Sequence, residues 1–413
     1  MARAAQLVFL SRVVFCSALI WAAAATAHTQ SAVSTLLDRL NAQPALTLSW
    51  EELTATDDTL TYHALTATLA GDSTEATVAF GDLLVEGPGT AAERVRLPGT
   101  ITLTATRATP IGPQALDGTI TITDGLLAFD QGGEALTLTA AEAQATLTAR
   151  HAATSVFEVT VDTLTGAATL PADADQTAAL SLAAAVLRVD GNTTAPDAAP
   201  LALSLTARAP RTTADMTPTL TQAGLQADEV TFTTDIPGLP HPVSLRSGAA
   251  DYALSAAQDG DTTYTELTAA VTDYDLTEDL WATLDPDAAL DRTPGRIAVD
   301  LAFDAQLSDG ATTVGGLTIA EATLALAGFT GAATGQIDTL TRDPNGAVTV
   351  TLIGLTDLLG AMANAGLIEP TQAFGAQFML GLFAQPGPDD GSLIIPVTLG
   401  PDRALTVNGQ RLR

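Results

Sequence analysis

Residues 119 to 140 read TITITDGLLAFDQGGEALTLTA. Apolar and threonine side chains alternate in this stretch, a turn follows at residues 130–133, and the alternation then returns. A period of two residues places the two sets of side chains on opposite faces of a strand, and Gly and Asp are typical of the turn between strands. The stretch therefore predicts a β-hairpin with one apolar face and one threonine-rich face.

The same alternation recurs along most of the chain. Examples are LTYHALTATLA, FEVTVDTLTGAATL, TYTELTAAVTDY and RIAVDLAFDAQL. Short runs of this kind, separated by Gly, Pro and Asp, are typical of an antiparallel meander. Since each strand must bury its apolar side against a sheet, a helix or a ligand, we predict a mainly β fold. The expected architecture is a long, curled antiparallel meander that forms a U-shaped trough or a sandwich.

Helical spacing of apolar residues is confined to a few short segments. It predicts an N-terminal helix over 31–42, a helix over 277–290, and a C-terminal helix pair over 355–366 and 370–385. For the second of these helices, Asp275 and Glu278 have the spacing of an N-cap residue and its N3 partner. A last hairpin is expected within residues 392–413, with its turn at 400–403.

The first 27 residues have the features of an export signal. Arg3 and Arg12 are followed by the apolar run VVFCSALIWAAAATA, which ends in the small residues Ala25-Thr26-Ala27. We therefore expect cleavage after Ala27 and delivery to a bacterial periplasm. Cys16 is the single cysteine of the chain, so the mature protein has no thiol for a disulfide, a metal site or a nucleophile. No later stretch approaches the roughly 20 apolar residues of a transmembrane helix.

The mature chain is expected to have two β-rich regions. Residues 28–190 contain the N-terminal helix and a first meander, and residues 201–413 contain a second β-region with the remaining helices and the hairpin. The segment between them, 191–200, is rich in Ala, Pro, Thr and Asp, and we predict it to be a loop at a soft boundary.

The charge and the motifs exclude several classes of function. The formal net charge is −30, and every one of the 17 basic residues is an arginine, so nucleic acid and anionic lipid headgroups are repelled. The histidines have no partners at metal-ligand spacing, and the chain has no nucleophile elbow and no phosphate-binding loop ending in lysine. We therefore predict a protein that is not an enzyme and that has no metal or cofactor.

The inward side chains of the predicted strands are mainly Leu, Ala, Val and Ile. Such a lining suits acyl chains if the interior is open, and it makes an aliphatic core if the interior is closed; the sequence fits both cases. Aromatic and apolar residues also form a stripe on the last predicted helix, for which core packing is the favoured role. On that interpretation Phe378→Asp destabilises the fold. The candidate ligand-binding residues are Trp281, Phe374, Phe378, Met379, Leu382 and Phe383.

Three segments carry a resemblance to a known family: DLWATLDPDAALDRTPGRIAVDL, GLIEPTQAFGAQFMLGLFAQPG and DRALTVNGQRLR. They resemble an uncharacterised family of bacterial periplasmic proteins, a domain of unknown function. That family is similar in architecture to AsmA-like proteins, and this similarity implies a curled sheet with a hydrophobic groove involved in lipid movement. No catalytic residues are implied.

These observations lead to two main functional hypotheses, and a hydrolase whose catalytic residues are scattered along the sequence is a third. The first is a non-enzymatic periplasmic protein that binds or shields lipid or another apolar ligand in envelope maintenance. The alternative is a structural or protein-interaction module with a closed aliphatic core and no small ligand, which presents its threonine-rich face or a free strand edge to a partner.

Overall fold

The structure is a computed structural model, and the part of the chain that it describes begins at Ser31. The described residues are 31–41, 45–71, 74–90, 92–108, 114–130, 135–150, 153–169, 177–195, 198–217, 219–235, 242–260, 262–308, 311–338, 345–389, 391–400 and 404–412. The predicted signal peptide and its cleavage site therefore lie outside the described residues, as do the predicted turns at 131–133 and 401–403.

The described residues form four helices and 27 strands, so the fold is mainly β, as predicted. The helices are α1 Ala32–Asn41, α2 Glu278–Leu284, α3 Leu355–Asn364 and α4 Pro370–Phe383. The strands are β1 Leu46–Ser49, β2 Glu52–Ala55, β3 Thr59–Gly71, β4 Thr74–Glu86, β5 Arg94–Arg96, β6 Thr100–Arg107, β7 Gln114–Thr123, β8 Leu126–Phe129, β9 Ala135–Arg150, β10 Thr154–Thr169, β11 Ala178–Ala183, β12 Val186–Ala195, β13 Ala198–Arg208, β14 Arg211–Met216, β15 Leu220–Ala227, β16 Glu229–Thr234, β17 Val243–Ser247, β18 Ala250–Asp259, β19 Thr262–Leu276, β20 Gly295–Ser308, β21 Ala311–Leu326, β22 Phe329–Asp338, β23 Asn345–Ile353, β24 Gln385–Pro386, β25 Ser392–Gly400, β26 Ala404–Val407 and β27 Gln410–Arg411.

The chain divides into two compact units, Met1–Pro218 and Thr219–Arg413. In the first unit, successive antiparallel pairings connect β3 to β4, β6, β7, β9, β10, β12 and β13. In the second unit they connect β15 to β18, β19, β20, β21, β22, β23, β25 and β26. Each unit is thus built on an antiparallel meander, the pattern that the alternating sequence predicts.

A row of backbone irregularities crosses the strands of the first unit. Ala64, Gly81, Asp124, Thr163 and Ala209 all have positive φ angles, between 45° and 73°, and lie where strands break or change register. A left-handed residue within or between strands interrupts the ladder and bends it locally. Each non-glycine member costs about 1–2 kcal/mol in backbone energy. These residues therefore interrupt the ladder at neighbouring positions of successive strands.

Helix α1 covers part of the apolar face of the first unit. Its buried side chains Val33, Leu37 and Leu40 belong to one hydrophobic cluster with Tyr62 and Val85 of the sheet. Fully burying a side chain of this size stabilises a fold by about 1.5–3 kcal/mol. The N-terminal helix predicted from apolar spacing is therefore confirmed. Its apolar face packs on the strands that follow it.

A buried carboxylate, Glu93, holds the start of α1 against this unit. Only 1% of Glu93 is exposed, and its side chain accepts hydrogen bonds from Ser31 Oγ at 2.5 Å and from the backbone N–H groups of Val33 at 2.8 Å and Ala32 at 3.0 Å. Gly89 N–H donates a further bond of 2.8 Å. The first N–H groups of a helix have no partner within the helix, and a negative charge there is favourable. Glu93 provides both the hydrogen-bond acceptors and the negative charge, although it lies far from α1 in the sequence.

Large side chains lie over glycines on the apolar face of the first unit. A Cβ added to Gly118 would stand 2.6 Å from Leu147 Cδ2, and one added to Gly191 would stand 2.9 Å from Phe157 Cδ1. Both glycines are paired with these residues across neighbouring strands. The apolar face is thus partly covered by its own side chains, which lean across the strands into the space that glycine leaves.

Three local predictions are wrong. The helix predicted over 277–290 ends at Leu284, because Asp285 precedes Pro286 and a residue before proline disfavours helical backbone. Much of the predicted loop at 191–200 is strand, because β12 runs to Ala195 and β13 begins at Ala198. Alternating residues there fit a pleated sheet that has polar side chains on one face, and Gly191 is buried against Phe157. The residue before α2 is Thr277, whereas Asp275 belongs to β19 and accepts a 2.8 Å hydrogen bond from Trp281 Nε1.

Candidate functional site

A continuous apolar face extends across the second unit. Residues directly opposite each other in an antiparallel ladder share a face, so each series of paired residues forms a row across the sheet. One row contains Leu254, Leu267, Leu301, Ile319, Gly335, Val348, Val397 and Val407. A second contains Leu225, Tyr252, Ala269, Val299, Ala322, Ala333, Val350 and Ile395, and a third contains Val271, Ile297, Leu324, Gly331, Leu352 and Leu393.

These three rows define the apolar face of the second unit. The first row crosses eight strands, which corresponds to roughly 34 Å at about 4.8 Å between strands. The opposite face is more polar: its corresponding row contains Thr318, Gln336, Ala347, Thr398 and Thr406, and Gln336 Nε2 donates to Thr318 Oγ1 at 3.3 Å. The larger apolar side chains are therefore concentrated on one face of the sheet, as the alternation of the sequence predicts.

The apolar face of the second unit is poorly covered. None of its large apolar side chains is buried, and four are exposed: Leu225 by 48%, Leu324 by 43%, and Tyr252 and Ile297 by 40% each. Among the described residues of this unit, the buried apolar residues are Ala227, Leu280, Trp281, Ala298, Ala327 and Ala373. Since only two of these are large, the described residues of the second unit do not enclose an aliphatic core.

The helix pair carries a second apolar surface. Gly366, with a φ of 73°, ends α3, and Pro370 begins α4 after Glu369, whose N–H donates to Gln372 Oε1 at 3.0 Å. Gln377 Nε2 contacts Thr356 O of α3 at 3.5 Å. The bounds of both helices agree with the predicted pair to within two residues.

Helix α4 exposes the residues for which core packing was favoured. Phe374 is 71% exposed, Phe378 59%, Met379 49% and Leu382 43%. We call these four residues the helix stripe. Phe383 beside them is half-buried. The prediction of a core role for the helix stripe is wrong, because helical spacing of apolar residues identifies a face but not what covers it.

Trp281 is separate from the helix stripe and is a core residue. It is 4% exposed, its Nε1 donates to Asp275, and the guanidinium of Arg292 lies 5.4 Å from its ring centroid. Arg292 Nη2 also donates to the backbone oxygen of Asp285 at 2.9 Å. These contacts join β19 and α2 to the segment that leads into β20, so Trp281 stabilises this connection and is not available to a ligand.

Asp285 completes this connection as a buried anion. Its carboxylate accepts hydrogen bonds from Ala289 N–H at 2.8 Å and Leu290 N–H at 3.0 Å, with Arg292 Nη2 at 3.8 Å. Burial acts to raise the pKa of the carboxyl, but the hydrogen bonds from Leu290 and Ala289 and the charge of Arg292 together hold the pKa below its ordinary value. The carboxylate is therefore ionised at neutral pH and has a structural role.

The sequence thus identifies the helix stripe but not the apolar face of the second unit. Tyr252, Ile297 and Leu324 were not among the candidate residues, although their positions alternate with polar residues in the predicted strands. The feature of the sequence that could have indicated these three residues is the large number of predicted strands that have one apolar face. The described residues contain no group of three or more His, Cys, Asp or Glu side chains that could hold a metal ion. None of the described helices is long and apolar enough to cross a bilayer.

Comparison with known families covers the region of this site. The model of a family described as an uncharacterized protein conserved in bacteria, DUF2125, matches residues 193–407. The chain belongs to this family. The match spans more than half of the chain and includes every strand of the apolar face of the second unit and the helix stripe, so both surfaces lie within the family's own region. The prediction of an uncharacterised bacterial family is confirmed. No match was found among curated proteins.

Proposed function

We propose that this protein is a non-enzymatic, exported periplasmic protein that binds lipid acyl chains along the apolar face of its second unit. The observation that carries the proposal is the poor cover of that face. Its aliphatic side chains are half-buried or exposed over eight neighbouring strands, whereas a folded monomer normally covers a contiguous apolar surface of this extent.

The chemistry of the face favours a lipid over a polar ligand. Leu267, Leu301, Ile319 and Val348 present branched aliphatic groups, and the three rows contain one hydroxyl group, that of Tyr252, and no charged side chain. A site for a polar ligand has convergent hydrogen-bonding groups, which these rows do not provide. An acyl chain needs only apolar contact, and its length of about 15 Å, half the hydrocarbon core of a bilayer, fits within the width of the face.

Two further features support the proposal. The N-terminal sequence has the pattern of an export signal, and export would bring the protein to the envelope lipids. The resemblance to AsmA-like proteins, drawn from the sequence, points to the same ligand class. The alternative hypothesis of a closed aliphatic core is disfavoured, because Leu280 and Trp281 are the only large buried apolar residues described in the second unit.

The proposal is tested by titration with a fluorescent fatty-acid analogue, using two neighbouring substitutions on β19. Leu267→Gln places an amide on the apolar face, whereas Thr268→Gln places the same group on the exposed polar face. Loss of one Leu contact of about 1.5 kcal/mol corresponds to roughly tenfold in Kd, so Leu267→Gln should weaken binding by about that factor. Thr268→Gln should bind like the wild type.

Two results would overturn the proposal. The first is a wild-type protein that shows no saturable binding of the analogue. The second is equal weakening by both substitutions with unchanged unfolding midpoints, since that pattern places the bound probe elsewhere.

A further inference from the structure

Helix α4 presents its helix stripe on the side opposite its packed face. Ala373 is buried, while Phe374, Phe378 and Leu382 recur every four residues and are 43–71% exposed. At 1.5 Å per residue the stripe is about 12 Å long. Two adjacent exposed phenylalanines with a methionine and a leucine form the kind of patch that marks an interaction surface.

This surface lies in an uncharged part of a strongly acidic protein. Residues 370–388 contain no Asp, Glu, Lys or Arg, whereas the whole chain has a formal net charge of −30. The stripe therefore has no cationic group for an anionic headgroup or an acidic partner. It also has no anionic group for a basic partner. The occupant that matches it is electrically neutral and apolar.

We propose that the helix stripe inserts into the surface of a bilayer composed of zwitterionic lipids, with its four side chains among the upper acyl segments. A second copy of the chain fits less well, because docking two stripes brings together two chains that each carry a charge of −30. Fluid hydrocarbon accepts phenyl and thioether groups without a shaped pocket. Helix α4 has 14 residues, about 21 Å, against a hydrocarbon core of about 30 Å, so it lies in the surface and does not span it.

This inference goes beyond ligand binding by the sheet and does not depend on it. A protein whose apolar face holds no acyl chain can still dock through α4, and the reverse also holds. The two surfaces are made by different residues of the second unit, so they can be tested by separate substitutions.

The test is flotation of the purified protein with phosphatidylcholine vesicles, compared between the wild type and two variants. Phe374→Ser/Phe378→Ser removes the two most exposed members of the stripe. Tyr264→Ser is the control, because Tyr264 is also an exposed aromatic residue, 53% against 59% for Phe378, and lies on the polar face of β19. We expect wild type and Tyr264→Ser to float with the vesicles, and the double variant to bind at least tenfold more weakly with an unchanged unfolding midpoint.

A second measurement, tryptophan fluorescence, tests whether the helix stripe enters the acyl region of the bilayer. In Phe378→Trp, the added tryptophan emission should shift to shorter wavelength with phosphatidylcholine vesicles and should be quenched by lipids brominated on their acyl chains. The proposal would be overturned if the emission of Phe378→Trp did not change with vesicles while the double variant floated like the wild type. It would also be overturned if the wild type bound only anionic vesicles. A wild-type dimer in sedimentation velocity that the double variant dissociates would overturn it too, since the stripe would then join two copies.

Discussion

At the scale of single residues, the apolar side chains of this protein have two different fates. Trp281 is buried and joined to Asp275 and Arg292, while Phe378 stands 59% exposed on α4. Both were candidates for the same site on the basis of the sequence. If both residues lined one pocket, substitutions at either would have similar effects. We expect instead that substitution of Trp281 lowers stability and that substitution of Phe378 does not.

Trp281→Ala should lower the free energy of unfolding by about 3–5 kcal/mol, because it leaves a large cavity and removes the partner of Asp275. Phe378→Asp should change it by less than about 1 kcal/mol, as expected for an exposed position. Urea unfolding followed by circular dichroism measures both. A large loss in Phe378→Asp would show that the helix stripe packs in a core.

Asp285 should make stability depend on pH in the acid range. Its pKa is lowered in the folded protein, so its contribution is fully present above the unfolded pKa of about 3.9 and is lost as pH falls through the folded pKa. The difference in unfolding free energy between wild type and Asp285→Asn should be constant from about pH 7 to 5 and should shrink below about pH 4. Urea titrations at each pH test this, and a difference that stays constant down to pH 3 would contradict it.

At the scale of elements, α1 depends on a carboxylate that is 60 or more residues away in sequence. The apolar face of α1 provides the packing energy. Glu93 determines where the helix begins, because it accepts bonds from the first N–H groups and from Ser31 Oγ. An isolated helix of ten residues is marginal in water, so both contributions are needed.

Glu93→Gln should destabilise the first unit by about 2–4 kcal/mol, since it replaces one acceptor oxygen by a donor in a buried site with four donors. Glu86→Gln is the matched control, because Glu86 forms a 2.7 Å ion pair with the exposed Arg96. This substitution should lower the free energy of unfolding by less than about 1 kcal/mol. The measurement is the urea midpoint of each variant. Equal midpoints for the two variants would show that Glu93 has no special role.

The elements that could be predicted from sequence are those with a strong period. The strands with alternating threonine and the four helices were found in this way, and their bounds differ from the structure by few residues except at the end of α2. Asp275 was misassigned because its spacing to Glu278 satisfies a capping pattern, while the bond to Trp281 depends on tertiary packing. Sequence also could not show that the face of Phe378 is uncovered, since period alone does not reveal what lies opposite a helix.

At the scale of the whole molecule, the chain combines high negative charge with apolar surfaces that its described residues do not cover. Two copies of the chain, each with a formal net charge of −30, repel one another. The apolar face of the second unit then remains available to a ligand rather than to another protein chain. This combination is what the proposed binding of acyl chains by the second unit requires.

The central claim is that the apolar face of the second unit holds acyl chains. The most direct test is native mass spectrometry of the protein purified from its host without detergent, followed by organic extraction and lipid analysis. We predict a stoichiometric lipid adduct that is reduced in Leu267→Gln and retained in Thr268→Gln. A clean apo mass that also takes up no added fatty acid or phospholipid would contradict the claim.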